Sequence, residues 1–385
     1  MATILDIKDL VTNFYTYEGV VKALNKVSFQ VKHGSTFGLV GESGCGKSVT
    51  VRSIMQIVQS PGVVEGGEIK FFRDKDNPDT SVDLLKQSEK TMQNIRGNDI
   101  SMIFQEPNSA LNPIMTIGEQ IAESYMFHQK NKILVKILGI EDNDNIFPKV
   151  SVNSLFKPLY MFAKANPNSL FFKVLKRIPI IKHWDKAVLK TAVAKSAQLL
   201  GTLGIPNPDK IVGQYPHNLS GGMKQRVVIA IALASNPVLL IADEATSNLD
   251  VTVQAQILDL LNDLKKKEII SSILLITHDL GVVAETCDRV GVMYAGNLCE
   301  LGSVKQIFEN PQHPYTKALL DSVPKAKQAG TLTSIAGNVP NLVTPPSGCR
   351  FHPRCEKAME KCKQSFPATV TVDKDHFVAC YLYSK

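Results

Sequence analysis

Residues 41–48 read Gly41-Glu42-Ser43-Gly44-Cys45-Gly46-Lys47-Ser48 and fit the spacing G-x-x-x-x-G-K-[ST]. Such a run can cradle a polyphosphate. Its glycines let backbone N–H groups turn inward onto phosphate oxygens, and a helix opening at Lys47 adds its positive amino end. Lys47 would reach the β and γ phosphates and Ser48 would ligate Mg²⁺. Gly41, Ser43, Gly44, Cys45, Gly46 and Val49 complete the candidate contact set. Cys45 stands at a variable position of such loops, and its thiol is assigned no chemistry. A second run, Leu239-Leu240-Ile241-Ala242-Asp243-Glu244, is an apolar strand ending in two acids. Asp243 would hold Mg²⁺ through water, and Glu244 would polarise the water that attacks the γ phosphate. Taken singly, acids at a strand end are common and solvated; beside a phosphate loop they complete a nucleotide site. A third run, Leu219-Ser220-Gly221-Gly222-Met223-Lys224-Gln225-Arg226, is a glycine-rich helix start with Ser220 as its cap, which is a second anion-binding device. One nucleotide already has its own loop, so Ser220, Gly221 and Gly222 are most simply explained as serving a nucleotide bound to another chain.

The seven cysteines are unevenly placed. Cys45, Cys287 and Cys299 are scattered, whereas Cys349, Cys355, Cys362 and Cys380 cluster near the carboxyl end, separated by five, six and seventeen residues. Four thiolates can complete a zinc site or hold an iron–sulfur cluster. The tight C-x₂₋₄-C knuckle usual for zinc is absent, and both options stay open on spacing alone. With no secretion signal recognised, such a cluster suggests metal before disulfide.

These residues need a frame to bring them together, and the apolar runs supply one. Residues 37–40 lead into the glycine loop, 100–104 into Gln105, 238–242 into Asp243 and 273–277 into His278. Polar residues at the ends of short buried strands predict a largely parallel sheet with its site at the carboxyl edge. Helical patterns over 47–58, 222–234 and 253–267 make this an α/β fold, with an antiparallel β portion at the amino terminus. A chain of 385 residues with 44% hydrophobic and 21% charged residues is long enough for about two domains and excludes a disordered or collagen-like protein. The long uncharged stretch 227–242 is broken by Ser235, Asn236 and Pro237, so no membrane span is expected. The start, MATILDIKDL, carries Asp6 and Asp9 where a secretion signal would be basic and then apolar, so the chain is expected to stay in the cytoplasm. Between residues 127 and 186 lie ten lysines and Arg177 against Glu141, Asp142, Asp144 and Asp185, which accounts for the whole net charge of +7. This segment reads as a basic insertion. Its stretch 170–177 could lie as an amphipathic helix on anionic lipid or an acidic partner, or be a solvated loop. Past about Phe308, proline-containing stretches mark a separate appendage.

Taken in order, the phosphate loop, Gln105, the Ser220 run, the acid pair and His278 resemble the ATP-binding cassette (ABC) family over about residues 4–308, the insertion apart. The resemblance implies a P-loop NTPase cassette with a helical subdomain, two cassettes packing head to tail, and each signature helix closing on the partner's ATP. It implies that Gln105 senses Mg²⁺ and faces a membrane subunit, that Ser247-Asn248-Leu249-Asp250 crosses the dimer interface, and that His278 meets the γ phosphate. The adenine-stacking aromatic should lie in Phe14-Tyr15-Thr16-Tyr17, with Tyr15 favoured. Ala245 and Asn248 depart from the usual Pro and Ala, and neither change removes a group that touches phosphate or water. With Glu244 and His278 both present, the cassette is expected to hydrolyse ATP.

The phrases His313-Pro314-Tyr315-Thr316 with Leu319-Leu320, residues 345–355 and Val251-Thr252-Val253-Gln254-Ala255-Gln256 resemble the ATPases of oligopeptide and dipeptide importers. Nickel importers share much of this wording. The resemblance implies a nucleotide-binding domain over 1–308 with a four-cysteine carboxyl-terminal region over 309–385, and a [4Fe–4S] cluster at Cys349, Cys355, Cys362 and Cys380 in preference to zinc or an empty vestige. It also implies a second, often different, ATPase subunit, two permease subunits, an extracellular peptide-binding protein, and a peripheral place on the cytoplasmic face of the membrane. The rival reading, a soluble ABC ATPase acting on nucleic acid or ribosomes, rests only on the basic balance. There is one phosphate loop, and Pro148, Pro158, Pro167 and Pro179 interrupt the insertion where coiled coils would need sustained heptads. No nucleic acid is expected as a partner.

Overall fold

The computed structural model describes residues 2–75, 77, 80–130, 132–133, 179–245, 250–322 and 335–384. The chain divides into two compact units, Met1–Glu106 with Asn236–Lys385, and Pro107–Ser235.

In the first unit, β1 (Thr3–Thr16), β2 (Gly19–Lys32), β3 (Thr36–Val40), β4 (Gly62–Phe71) and β5 (Val82–Asp83) come first, followed by β6 (Ile100–Ile103) and, after the excursion into the second unit, β7 (Leu239–Asp243), β8 (Ser272–Ile276), β9 (Arg289–Tyr294), β10 (Asn297–Ser303), β11 (Val370–Asp373) and β12 (His376–Val378). They form two sheets. The antiparallel portion has the order β2-β1-β4-β5, and the larger sheet the order β11-β12-β10-β9-β3-β8-β7-β6. From β9 to β6 all neighbours run parallel. Every residue of β3, β7 and β8 is buried, so these strands show no alternation: both faces of a parallel sheet are covered. One core joins Ile4, Leu5, Ile7 and Leu10 of the antiparallel portion to Leu39, Leu239, Ile241, Leu274 and Ile276 of the parallel strands. Each such side chain contributes about 1.5–3 kcal/mol on burial.

The helix after the phosphate loop runs over Lys47–Ile54 and stops short of the predicted end at 58. Gln56 takes a positive φ of 50°, and the Arg96 guanidinium captures the carbonyls of Met55 at 2.8 Å and Gln56 at 3.1 Å, so the backbone leaves the helix there. The helix Val251–Lys266 is capped by Asp250, whose carboxylate accepts the Val253 amide at 2.9 Å, and ends on Lys265 and Lys266, where cations suit the negative end.

The region past Phe308 is not set off where the compact units part. β12 pairs with β10 at Glu300↔Val378 and Leu301↔Phe377, extending the larger sheet. Tyr315 and Phe351 form a ring cluster with Tyr294 of β9, centroids 4.6–5.3 Å apart, within a second buried core. Its proline-rich wording reads as an appendage, but two short strands and these rings bury it against the cassette.

The second unit is helical among its described residues: Pro107–Ala110, Ile117–His128, Pro179–Thr202, Pro208–Ile211 and Gly221–Leu233. Thr116 and Glu119 form a capping box that starts the second of these. The expected basic insertion over 127–186, including 170–177, lies outside the described residues except for 127–130, 132–133 and the helix that begins at Pro179. No helix among the described residues is long and apolar enough to cross a membrane.

Candidate functional site

The loop of residues 41–48 leaves the end of β3, which lies between β8 and β9. This is the position in an open parallel sheet where a crevice forms. Gly41 has a φ of 149°, and a Cβ there would stand 2.1 Å from the Met293 carbonyl oxygen, so no side chain fits. Gly46 has a φ of 103°, and a Cβ there would stand 2.8 Å from the Leu24 side chain and 2.9 Å from the Ala23 carbonyl oxygen. Lys47 is only 4% exposed, and its ammonium donates to the carbonyls of Gly41 at 2.7 Å and Glu42 at 3.1 Å. The loop therefore gathers its own carbonyls about the lysine. The Cys45 thiol is buried, burial pushes it above its ordinary value, and its carbonyl accepts the Gly296 amide at 2.8 Å. Val49, in the helix, packs on the core.

Ser48 donates its hydroxyl to Asp243 at 2.9 Å. Asp243 closes β7 almost wholly buried, and burial holds its carboxyl above the usual range while the Ser48 bond pulls it back. Glu244, the next residue, has a left-handed backbone with φ 48°, costly for a residue with a Cβ and found where neighbouring structure enforces it. Its amide is held by the Ile276 carbonyl at 3.0 Å. That turn aims the carboxylate at two residues from adjacent strand ends: Gln105 donates its side-chain amide to Oε2 at 2.6 Å, and His278 Nδ1 stands 3.5 Å from Oε1. Gln105, Glu244 and His278 thus meet at the edge where β6, β7 and β8 end. The arrangement can hold a water beside a carboxylate and present a hydroxyl and a buried acid to a cation.

Ser220 caps the helix Gly221–Leu233, accepting the Met223 amide at 3.4 Å, with Gly221 and Gly222 in its first turn. Asp250 is described as a helix cap; Ser247, Asn248 and Leu249 lie outside the described residues. Tyr15 is half exposed and donates its hydroxyl to Glu65, which also accepts from Asn13 at 2.6 Å, whereas the Tyr17 ring is fully exposed.

The four carboxyl-terminal cysteines all line one small cavity, with Phe351, Met359 and Leu382 among its walls. None is in a disulfide. Burial, and then the neighbouring cysteines, push the Cys349 thiol up to about 11, and burial also raises Cys355 and Cys380. Four soft donors converging without a carboxylate suit a thiophilic metal. The cavity holds only about 10 Å³, room for about one water, and among the described residues no group of three or more His, Cys, Asp or Glu is arranged to hold a metal ion. As they stand, the thiols converge without enclosing a metal.

Sequence reading left out the partners of the loop's second residue. Glu42 is bound by Arg354 and by Tyr315, both from the carboxyl-terminal region. Both residues sit inside motif phrases already singled out, so they were visible, but Glu42 lies 312 residues from Arg354 and 273 from Tyr315.

Comparison with known proteins defines the class. Residues 24–247 match the ABC transporter family. Among solved structures, the dimeric structure of a bacterial ABC transporter cassette matches with a TM-score of 0.53 and 20% identity over 78% of this chain and 99% of the other. cbiO1 from Clostridium perfringens matches with a TM-score of 0.52 and 22% identity over 80% and 92%. The chain therefore belongs to the ABC transporter family and has its cassette fold. More particularly, residues 299–362 match the oligopeptide/dipeptide transporter C-terminal region. The chain is 41% identical to the dipeptide transport ATP-binding protein DppD of Bacillus subtilis over 99% of this chain and 95% of that one. It is 42% identical to the oligopeptide transport ATP-binding protein OppD of the same organism over 98% and 88%, and 40% identical to OppD of Haemophilus influenzae over 99% and 98%. It belongs to this oligopeptide/dipeptide group of ABC ATPases.

Proposed function

We infer that this chain is the ATP-hydrolysing subunit of an importer that takes up oligopeptides or dipeptides through membrane permease partners. The observation that carries the reading is the Glu244 carboxylate held between Gln105 and His278, one residue from the Ser48–Asp243 pair. In the proposed mechanism, residues 41–48 wrap the phosphates and Lys47 turns its ammonium from the loop carbonyls to the β and γ oxygens. Ser48 and Asp243 would hold Mg²⁺, which when bound neutralises charge on the phosphates. Glu244 orients and polarises the attacking water, Gln105 fixes the carboxylate, and His278 meets the γ phosphate. Tyr15 stacks on adenine, and Ser220, Gly221, Gly222 and Asp250 serve the nucleotide of a partner cassette. Movement passes through the Gln105 region to two permease subunits, with an extracellular binding protein delivering peptide. These roles place the chain peripherally at the cytoplasmic face of the membrane. Contact of residues 127–186 with anionic lipid rests on their charge alone.

The division at residue 308 is one of role: 1–308 binds nucleotide, and 309–385 carries the four cysteines. The converging thiols would have to open their cavity of about 10 Å³ to take an iron–sulfur cluster, or zinc as the alternative; iron, sulfide and zinc content after anaerobic purification decides between these and an empty site. The transport reading is tested by ATP turnover in vesicles reconstituted with the permease subunits. Stimulation by di- or oligopeptide with its binding protein, and none by nickel or RNA, is the expected result; stimulation by nickel or RNA alone would overturn it.

A further inference from the structure

We propose that Arg354 and Tyr315 are positioning residues for nucleotide binding, acting through Glu42 to hold the phosphate loop in its receiving shape. The inference rests on the reading of residues 41–48 as the phosphate loop. Glu42 is fixed at three points. Its amide donates to the Tyr315 hydroxyl at 3.0 Å, its carbonyl accepts from the Lys47 ammonium at 3.1 Å, and its two carboxylate oxygens accept from Arg354 Nη1 at 2.7 Å and Nη2 at 3.1 Å. The fork geometry of that last pair is the strongest side-chain grip available to a carboxylate.

Arg354 is itself held on every side. Its side chain is 5% exposed; Nε donates to the Ala336 carbonyl at 2.9 Å, Nη2 to Ile335 at 3.1 Å and Nη1 to the Tyr294 hydroxyl at 3.2 Å. An arginine so restrained is a fixed strut rather than a solvated surface charge. A second strut lies four residues earlier. Arg350 donates to the carbonyls of Ala295 and, at 3.0 Å, Lys22, bracing the turn whose Gly296 amide grips the Cys45 carbonyl at 2.8 Å. The arc from Arg350 to Arg354 lies between Cys349 and Cys355 and thus braces the loop at Glu42 and at Cys45.

The consequence is preorganisation. Lys47 and the loop amides must converge on phosphate, and a loop already held spends less ordering entropy on binding. Freed from Arg354, Glu42 would carry its carbonyl, and with it Lys47, through many positions. Loss of the brace should therefore raise nucleotide Kd and KM while leaving kcat nearly alone, because neither Arg354 nor Tyr315 touches the Gln105, Glu244 and His278 group.

The test measures Kd for ATP and ADP by calorimetry, together with KM and kcat, on Arg354→Lys, Glu42→Gln, Tyr315→Phe and the Arg354→Lys/Glu42→Gln double variant, with unfolding midpoints taken without nucleotide. Arg354→Lys keeps the charge and loses the fork; Glu42→Gln and Tyr315→Phe keep shape, and affinities are read on the variants whose unfolding midpoints match wild type. The expected result is a loss of about tenfold in affinity for each of Arg354→Lys and Glu42→Gln, kcat within about twofold for Arg354→Lys, which lies outside the phosphate loop, and a double variant no weaker than the worse single, because both act on one contact. Affinities within about twofold of wild type in well-folded single variants, or losses that add in the double, would overturn it. Lys47→Ala separates the two layers: if it abolishes nucleotide binding while the Arg354 and Glu42 variants bind normally, only this inference fails; if it binds normally, the phosphate-loop reading fails as well.

Discussion

Replacing Glu300 should loosen the carboxyl-terminal region more than any surface change. Glu300 lies in β10 with a side chain 0% exposed, and its carboxylate serves three donors from two other segments. Oε1 accepts from the Gln312 amide at 2.8 Å and from His376 Nε2 at 2.8 Å, and Oε2 accepts from the His313 amide at 2.8 Å. Glu300→Ala would strand two buried amides and an imidazole that is itself 1% exposed. Each buried donor left without its acceptor costs about 1–3 kcal/mol, so the three together cost at least about 3 kcal/mol. Glu300→Gln keeps one acceptor but turns an NH₂ toward a donor, at about 1–3 kcal/mol. With urea slopes of about 2–3 kcal/mol/M, the alanine variant should unfold at a midpoint lower by about 1–2 M, and the glutamine variant should fall between it and wild type. Far-UV circular dichroism gives the midpoints. Hydrogen exchange should show the loss first in β12 and in the helix Pro314–Asp321, the segments the carboxylate ties to β10. An alanine variant within about 0.3 M of wild type, or exchange rising first in β6, would refute the reasoning.

Three further outcomes are expected. Burial pushes the Tyr125 phenol up to about 12, so the folded state keeps its proton where the unfolded chain has lost it. Stability should fall as pH rises from about 10 to 12, by up to about 3 kcal/mol from this group, and Tyr125→Phe should flatten that fall in alkaline melts relative to wild type. Gly41→Ala should abolish nucleotide binding or folding, because its Cβ meets the Met293 carbonyl oxygen at 2.1 Å, whereas Gly44→Ala, with nothing within 4 Å, should cost only about 1–2 kcal/mol of backbone strain in a thermal melt. The buried thiols of Cys45 and Cys299, both raised by burial, should resist maleimide at neutral pH until the chain is unfolded; rapid labelling of either in the native state would contradict the burial argument.

The candidate site was legible because its parts stand at or just past the ends of apolar runs. The loop that carries Lys47 opens directly after β3, Asp243 ends β7, Gln105 and His278 come two residues after β6 and β8, and a parallel sheet gathers these strand ends at one edge. The special backbone of Glu244 carries no sequence signal, since its neighbours Asp243 and Ala245 are ordinary residues and the strain is imposed by the Ile276 contact. The end of the first helix at Ile54 was missed because Arg96, not a proline or glycine, terminates it. The carboxyl-terminal region read as an appendage because β11 and β12 have only four and three residues, and the one tie to the larger sheet is from β12 to a strand about 75 positions earlier. Charge complementarity between Glu42 and Arg354 was equally invisible: pairing over 312 residues leaves no local pattern.

The central claim is that Glu244 activates water for ATP hydrolysis, and the most direct measurement is the steady-state ATPase rate of Glu244→Gln beside its affinity for ATP. Glutamine keeps the size of the side chain and its contacts with Gln105 and His278 but cannot polarise water as a carboxylate does. Hydrolysis should fall at least about 100-fold while ATP still binds and stays bound. Undiminished hydrolysis in the variant would contradict the account.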